Sequence, residues 1–190
     1  GNSDPLADVN DPPTYEALAR FLPTDALLVT SHLQRTHQTA NAIREAGLVM
    51  PEPHIEEDFA EQNFGDWQGQ KREEVYAKLD AKHTFWLTPA HSRAPGGESF
   101  VDLTNRVTSV IDRLTAEHEG RDIIAVTHGG TIRAAIGHAL GLDAEASLTC
   151  QIDNCSVTRI DRFGPTESHP DGAWAMFHMN QIPTLDSVLA

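Results

Sequence analysis

Three stretches of the chain carry residue types and spacings that could do chemistry. Ser31-His32-Leu33-Gln34-Arg35-Thr36-His37-Gln38-Thr39-Ala40 follows the apolar run from Ala26 to Val29. Val126-Thr127-His128-Gly129-Gly130-Thr131 follows a second such run, Ile123 to Ala125. Both read as strand–turn–helix junctions, where the first N–H groups of a helix lack internal partners and are open to an anion. Arg35 falls in the first helical turn, where its planar fork can grip two phosphoryl oxygens at once. His128 sits at a strand tip, and Gly129-Gly130 lets the main chain approach a ligand closely. The third stretch, Glu61-Gln62-Asn63-Phe64-Gly65-Asp66-Trp67-Gln68-Gly69, sets a carboxylate beside aromatics and glycines. Apolar surroundings favour the protonated form of a carboxyl group, the state a general acid needs.

Each piece also has a plainer reading. Arg35 can be a surface helix residue paired with an acid such as Glu61 or Glu98. A strand-end histidine is often a hydrogen-bonded linker, and two glycines can serve a turn alone. Phe64 and Trp67 can anchor a long loop with Glu61 in water.

The elements that must position these groups follow from periodicity. Gly1 to Pro13 reads as a loop, and Thr14 as the cap of a helix running to about Leu22. Ala26–Thr30 is expected as a buried strand and Leu33–Ala46 as a helix stopped at Gly47. Pro51–Gln70 is irregular, Lys71–Leu79 helical, and Thr88–Gly97 a loop. Phe100, Leu103, Val107, Val110, Ile111 and Leu114 share one 3.6-period face, the best helical signal in the chain. Asp122–Thr127 follows as a second buried strand. A helix then carries Ile132, Ala135, Ile136, Ala139 and Leu140 on one side and stops at Gly141. Cys155–Arg162 and Ala173–Met179 read as strands joined by a hairpin-like turn region. Strands alternating with helices argue an α/β sandwich with a largely parallel sheet. In such sheets the ligand site lies beyond the carboxyl ends of the strands.

Composition bounds the function. The 190 residues suit one domain. Lys and Arg number 14 against 28 Asp and Glu, a net charge of −14. That balance argues against nucleic acid and against an anionic membrane surface as partners. Any anionic ligand must be small and caught by a few focused cations. Cys150 and Cys155 fit neither a disulfide scaffold nor half of a zinc site, and no H-E-x-x-H is present. No metal or cofactor is expected. No apolar run is long enough to span a bilayer and no charged-then-apolar segment opens the chain, so a cytoplasmic protein is the expectation. An α/β-hydrolase fails because Gly97-Glu98-Ser99 is followed by Phe100-Val101, where the nucleophile elbow needs a final glycine.

Taken together, the stretches resemble the histidine phosphatase superfamily, the phosphoglycerate-mutase-like proteins. Ser31 to Ala40 is similar to that family's S-P-L-x-R-A-x-Q-T-A signature, and Glu61 to Gly69 to its E-x-x-F-G-x-W-x-G segment. Pro95-Gly96-Gly97-Glu98-Ser99 matches its P-G-G-E-S helix start, and Val126 to Gly130 its V-T-H-G-G. The resemblance implies a three-layer α/β/α fold with a mostly parallel central sheet. It also implies a metal-free, two-step phosphoryl transfer through a phosphohistidine. By resemblance, Arg35 and His128 clamp the equatorial oxygens, and Glu61 protonates the leaving oxygen and then activates water. Gly129 is a candidate backbone contact, while Ser31, Glu98 and Trp67 stand behind these groups. The implied partner is a small phosphorylated metabolite. A phosphoglycerate mutase and a non-catalytic phosphate-binding module are the alternatives.

One departure stands against the matches. The family's nucleophile lies in an R-H-G motif ending its first strand, and no Arg-His-Gly occurs in the 190 residues. Asp11-Pro12-Pro13 also runs directly into Thr14-Tyr15-Glu16, where the family places several more residues. The expectation is a chain lacking pieces, in preference to a natively degenerate protein, and no phosphatase turnover by these 190 residues alone.

Overall fold

The computed structural model describes Gly1 and residues 3–188. Helix α1 (Pro12–Phe21) starts three residues earlier than the sequence suggests, with Asp11 rather than Thr14 at the cap position. Pro12 and Pro13 occupy its first turn, where a missing N–H costs nothing. Thr14 lies inside the helix and donates its hydroxyl to the Asp11 carboxylate at 2.7 Å. Strand β1 (Leu27–Thr30) then leads into α2 (Gln34–Glu45). Strand β2 is a two-residue piece, His54–Ile55, within the expected irregular stretch, and α3 is shorter than predicted, Arg72–Tyr76.

Helix α4 (Phe100–Glu117) buries all six residues of the predicted apolar face. Ser99 and Asp102 close a reciprocal capping box at its start, which satisfies two backbone donors that would otherwise be orphaned. Strand β3 (Ile123–Val126) feeds α5 (Gly129–Leu140), and α6 (Ala144–Ser147) is a short helix the periodicity did not show. Strands β4 (Val157–Phe163) and β5 (Ala173–Gln181) form the expected antiparallel hairpin, and α7 (Leu185–Val188) follows.

The layers follow from the pleat. Leu27, Val29 and Ile123 point to one face of the sheet and pack with Phe100, Leu103, Val107 and Ala134 of α4 and α5. Leu28 and Ile124 point to the other and pack with Tyr15, Leu18, Ala40 and Ile43 of α1 and α2. Alternate residues on one strand thus serve two cores, giving an α/β/α sandwich.

The sheet is split. Order β2-β1-β3 is parallel throughout, and β4-β5 is a separate two-stranded sheet. Among the described residues, β3 therefore has a neighbour on one edge only. This corrects the expectation of a fully buried strand: Ile124 is buried, whereas Ala125 is exposed.

A second correction concerns α5. Its buried residues include Arg133, Ala134, Ile136 and Gly137, while Leu140 is 43% exposed. The reason is Gly137, where an added Cβ would lie 2.2 Å from the Ser147 hydroxyl oxygen of α6. Close packing of α6 there turns the Arg133–Gly137 side inward.

Leu103 is fully buried in the core shared by α4, β1 and α5. Leu103→Ala is expected to lower stability by about 3 kcal/mol, read as a shift in the urea unfolding midpoint at constant slope.

Candidate active site

Parallel pairing of β1 and β3 sets Thr30 opposite Val126, so the segments that follow leave the sheet at the same level. Ser31 and His128 meet there, with the serine Oγ 2.8 Å from Nε2 of the imidazole. Ser31 also accepts from the Leu33 amide at 3.2 Å, and Thr36 lies 3.2 Å from the same oxygen. This buried hydroxyl cluster fixes the start of α2 against the tip of β3.

His128 is the cap residue of α5 and only 7% exposed. Burial is the main reason its pKa is pushed down to about 3, and the positive charges of Arg35, the terminal amino group and Arg106 add to it. At neutral pH the imidazole is uncharged, so it acts on a ligand as a hydrogen-bonding group.

Arg35 stands on the first turn of α2. Its Nη1 donates to the Ser3 carbonyl at 2.6 Å and its Nη2 to the Gly1 carbonyl at 3.0 Å. The plain alternative, a surface pair with Glu98, is not what forms, because Glu98 is bonded to Arg106 at 2.7 Å. Burial lowers the Arg35 pKa, opposed by the charges of Glu61 and Asp4.

Glu61 reaches the same place from the irregular segment. One carboxylate oxygen accepts from the Gln62 amide at 2.9 Å and the other from the Gly130 amide at 3.1 Å. Two main-chain donors thus hold it, in place of the apolar surroundings the aromatic motif suggested. The helix-start N–H that meets Glu61 is that of Gly130. An added Cβ on Gly130 would lie 2.2 Å from Glu61 Oε1, so only glycine leaves room for the carboxylate.

The segment carrying Glu61 is clamped from behind. The Asn63 amide donates to Glu98 Oε1 at 2.9 Å, the Glu98 amide to the Asn63 carbonyl at 2.9 Å, and the Gln62 side chain to the Glu98 carbonyl at 3.0 Å. Arg106 bonds both Glu98 oxygens, at 3.1 and 2.7 Å, and the Glu61 carbonyl at 3.4 Å. Gly65, at φ +47, lies so close to the Pro95–Gly97 turn that a Cβ would meet the Pro95 carbonyl oxygen at 2.1 Å. Arg106 and Arg133 were missed by sequence reasoning. Arg106 lies on α4 and Glu98 in the loop before its cap, so no local helical spacing pairs them in the sequence. Trp86, which sequence reasoning did not single out, donates its indole N–H to Gln62 at 2.7 Å.

Residues 14–168 match the model of the histidine phosphatase superfamily, branch 1. The chain belongs to the histidine phosphatase superfamily. Within it, the chain is 28% identical over 149 residues to an adenosylcobalamin/alpha-ribazole phosphatase of Salmonella typhimurium, covering 78% of this chain and 72% of the relative. It is 29% identical over 156 residues to a bifunctional protein of Mycobacterium tuberculosis, covering 82% of this chain and 41% of that protein. The chain thus spans about two-fifths of the mycobacterial relatives it matches. Among solved structures, a mycobacterial hydrolase superimposes with a TM-score of 0.79 at 23% identity, over 100% of this chain and 86% of the other. That superposition shows the histidine phosphatase fold, with its helices on a parallel sheet.

The buried His128 predicts a pH dependence of folding. Its native pKa lies below the value of about 6.5 in an unfolded chain, so the unfolded state binds the extra proton first. Stability from this group is complete above about pH 6.5 and is lost as pH falls toward 3. The slope reaches at most about 1.4 kcal/mol per pH unit. Urea titrations between pH 7 and 4 are expected to show this loss in the native chain and a shallower one in His128→Asn.

Proposed function

We propose that this domain performs phosphatase-type phosphoryl transfer from a small phosphate ester. The observation that carries the reading is the meeting of a two-pronged cation, an uncharged histidine and a carboxylate at the carboxyl ends of β1 and β3. Arg35 and His128 bind the equatorial oxygens of the phosphoryl group, where charge spreads in the transition state. The Arg35 fork, which here holds the Ser3 and Gly1 carbonyl oxygens, is the group we assign to two phosphoryl oxygens. A histidine nitrogen attacks phosphorus, the bond to the alcohol oxygen breaks, and Glu61 hands that oxygen a proton. Water then attacks the phosphohistidine, Glu61 takes its proton, and phosphate and free histidine result.

None of the ten histidines stands in the R-H-G context of the family nucleophile. The free edge of β3 supports a further strand there, which brings that histidine to the cradle. An inner strand left out exposes backbone groups that a folded sheet normally pairs. The intact Arg35, Glu61 and His128 favour an enzyme over a non-catalytic module. Homologues named for alpha-ribazole and glucosyl-3-phosphoglycerate support a small phosphate ester as substrate.

The 190-residue chain is expected to bind inorganic phosphate or vanadate without turning over p-nitrophenyl phosphate. Arg35→Ala should weaken that binding by roughly ten- to a hundredfold, as titration calorimetry would read. Turnover by this chain alone would overturn the proposed division of labour. A chain extended by its own upstream coding sequence should turn the ester over, and phosphate binding without turnover there would mark a non-catalytic module. Activity of the extended chain is expected to survive a chelator unchanged, because the Arg35 cation and hydrogen bonds from neutral His128 hold the phosphoryl group without a divalent ion. A large loss on chelation would reject the mechanism.

A further inference from the structure

Arg133 is a charged group with no stated use. It is 8% exposed on the inward side of α5. Its guanidinium carbon lies over the Trp86 ring, 4.8 Å from the centroid. Its Nε is buried and has no hydrogen-bond partner. Among the described residues, neither Glu61 nor any other acid forms an ion pair with it. A guanidinium carries five N–H donors and keeps its charge in proteins. Stacking on an aromatic face attracts the charge but satisfies none of those donors. A buried N–H left without an acceptor, as at Nε, is costly, and such groups normally have a partner.

Its position says which acceptor. A Cβ on Gly129 would lie 3.0 Å from Arg133 Nη1, as one on Gly130 would lie 2.2 Å from Glu61. The paired glycines therefore make room for two side chains at the start of α5, the carboxylate and the guanidinium. Burial lowers the Arg133 pKa, with the charge of Glu61 and then of Cys150 opposing it. Glu61 is thus near enough to be felt and too far to be bonded. Trp86 forms a wall beside them, packed at 6.1 Å against both Phe64 and Phe100. Arg35 and His128 already account for the phosphoryl oxygens. On the phosphate-ester reading, in which Glu61 protonates the leaving oxygen, the departing alcohol lies on the Glu61 side of the phosphoryl group.

We propose that Arg133 is a specificity-determining residue that binds a second anionic group, carried by the alcohol part of the substrate, over the face of Trp86. The proposal rests on the phosphate-ester reading of the site. It makes the preferred substrate a phosphate monoester whose leaving group bears its own carboxylate or phosphate.

Binding to the 190-residue chain tests this without turnover. Titration calorimetry would compare inorganic phosphate, phenyl phosphate and 4-carboxyphenyl phosphate on the native chain, Arg133→Gln and Arg133→Lys. The native chain should bind the carboxylated ester about tenfold tighter than phenyl phosphate. Arg133→Gln should erase that preference, leave inorganic phosphate within twofold, and melt no lower than the native chain. Arg133→Lys, which keeps the charge and loses the planar fork, should retain part of the preference. Phosphate binding with no preference in the native chain would overturn the inference alone. So would an equal loss of all three ligands in Arg133→Gln with a lowered melting temperature, the mark of a structural residue. Failure of the native chain to bind any of the three would overturn the phosphate-ester reading and this inference with it.

Discussion

The register between β1 and β3 governs the site. Four consecutive residue pairs, ending at Thr30 and Val126, bring two chain segments almost 100 positions apart to a common level. Ser31 and His128 then lie within hydrogen-bonding distance, and α2 and α5 begin side by side with their free N–H ends toward one space. A slip of one residue would reverse which side chains face each core. Leu27 and Val29 would then face α1 and α2, and Leu28 would face α4. Two differently packed helical layers therefore enforce the alignment on which the anion cradle depends.

Glu61 is held by other means. It has no strand beneath it, and its main chain is irregular. Its place is set by polar bonds to the loop before α4, with Glu98 accepting from Asn63 and Arg106 closing the arrangement. The capping box at Ser99 fixes where that loop ends and α4 begins. Burial of the α4 face thus reaches the carboxylate through a short chain of hydrogen bonds. Part of the site rests on core packing and part on a satisfied polar network, whose partial loss is more damaging than its absence.

Much of this was legible in the sequence because it depends on local pattern. The α4 face, the two strand–helix junctions and the terminal hairpin follow from periodicity and from glycine placement. The buried side of α5 was misread, since Ile132, Ala135 and Leu140 form an apolar stripe while the packing of α6 on Gly137 turns a different side inward. Arg133 was invisible for the same reason: an arginine in an apolar helix reads as surface. The exposure of Ala125 depends on how many neighbours β3 has, which no residue of β3 itself reveals. The role of Trp86 was equally hidden, because its partners Gln62 and Arg133 lie far away in sequence.

The cations of the site sit in a protein whose other charges are overwhelmingly acidic. At distance, a doubly charged anion meets net repulsion; within a few ångströms of Arg35 and Arg133 it meets attraction. The two regimes respond to salt in opposite senses. A screening length of about 10 Å at 0.1 M removes most of the distant repulsion, so added salt speeds arrival at the mouth. The close contacts are half-buried or buried and weaken only slightly. Capture here is governed by short-range recognition, and the surrounding field acts as a filter that disfavours diffuse polyanions and admits compact ones.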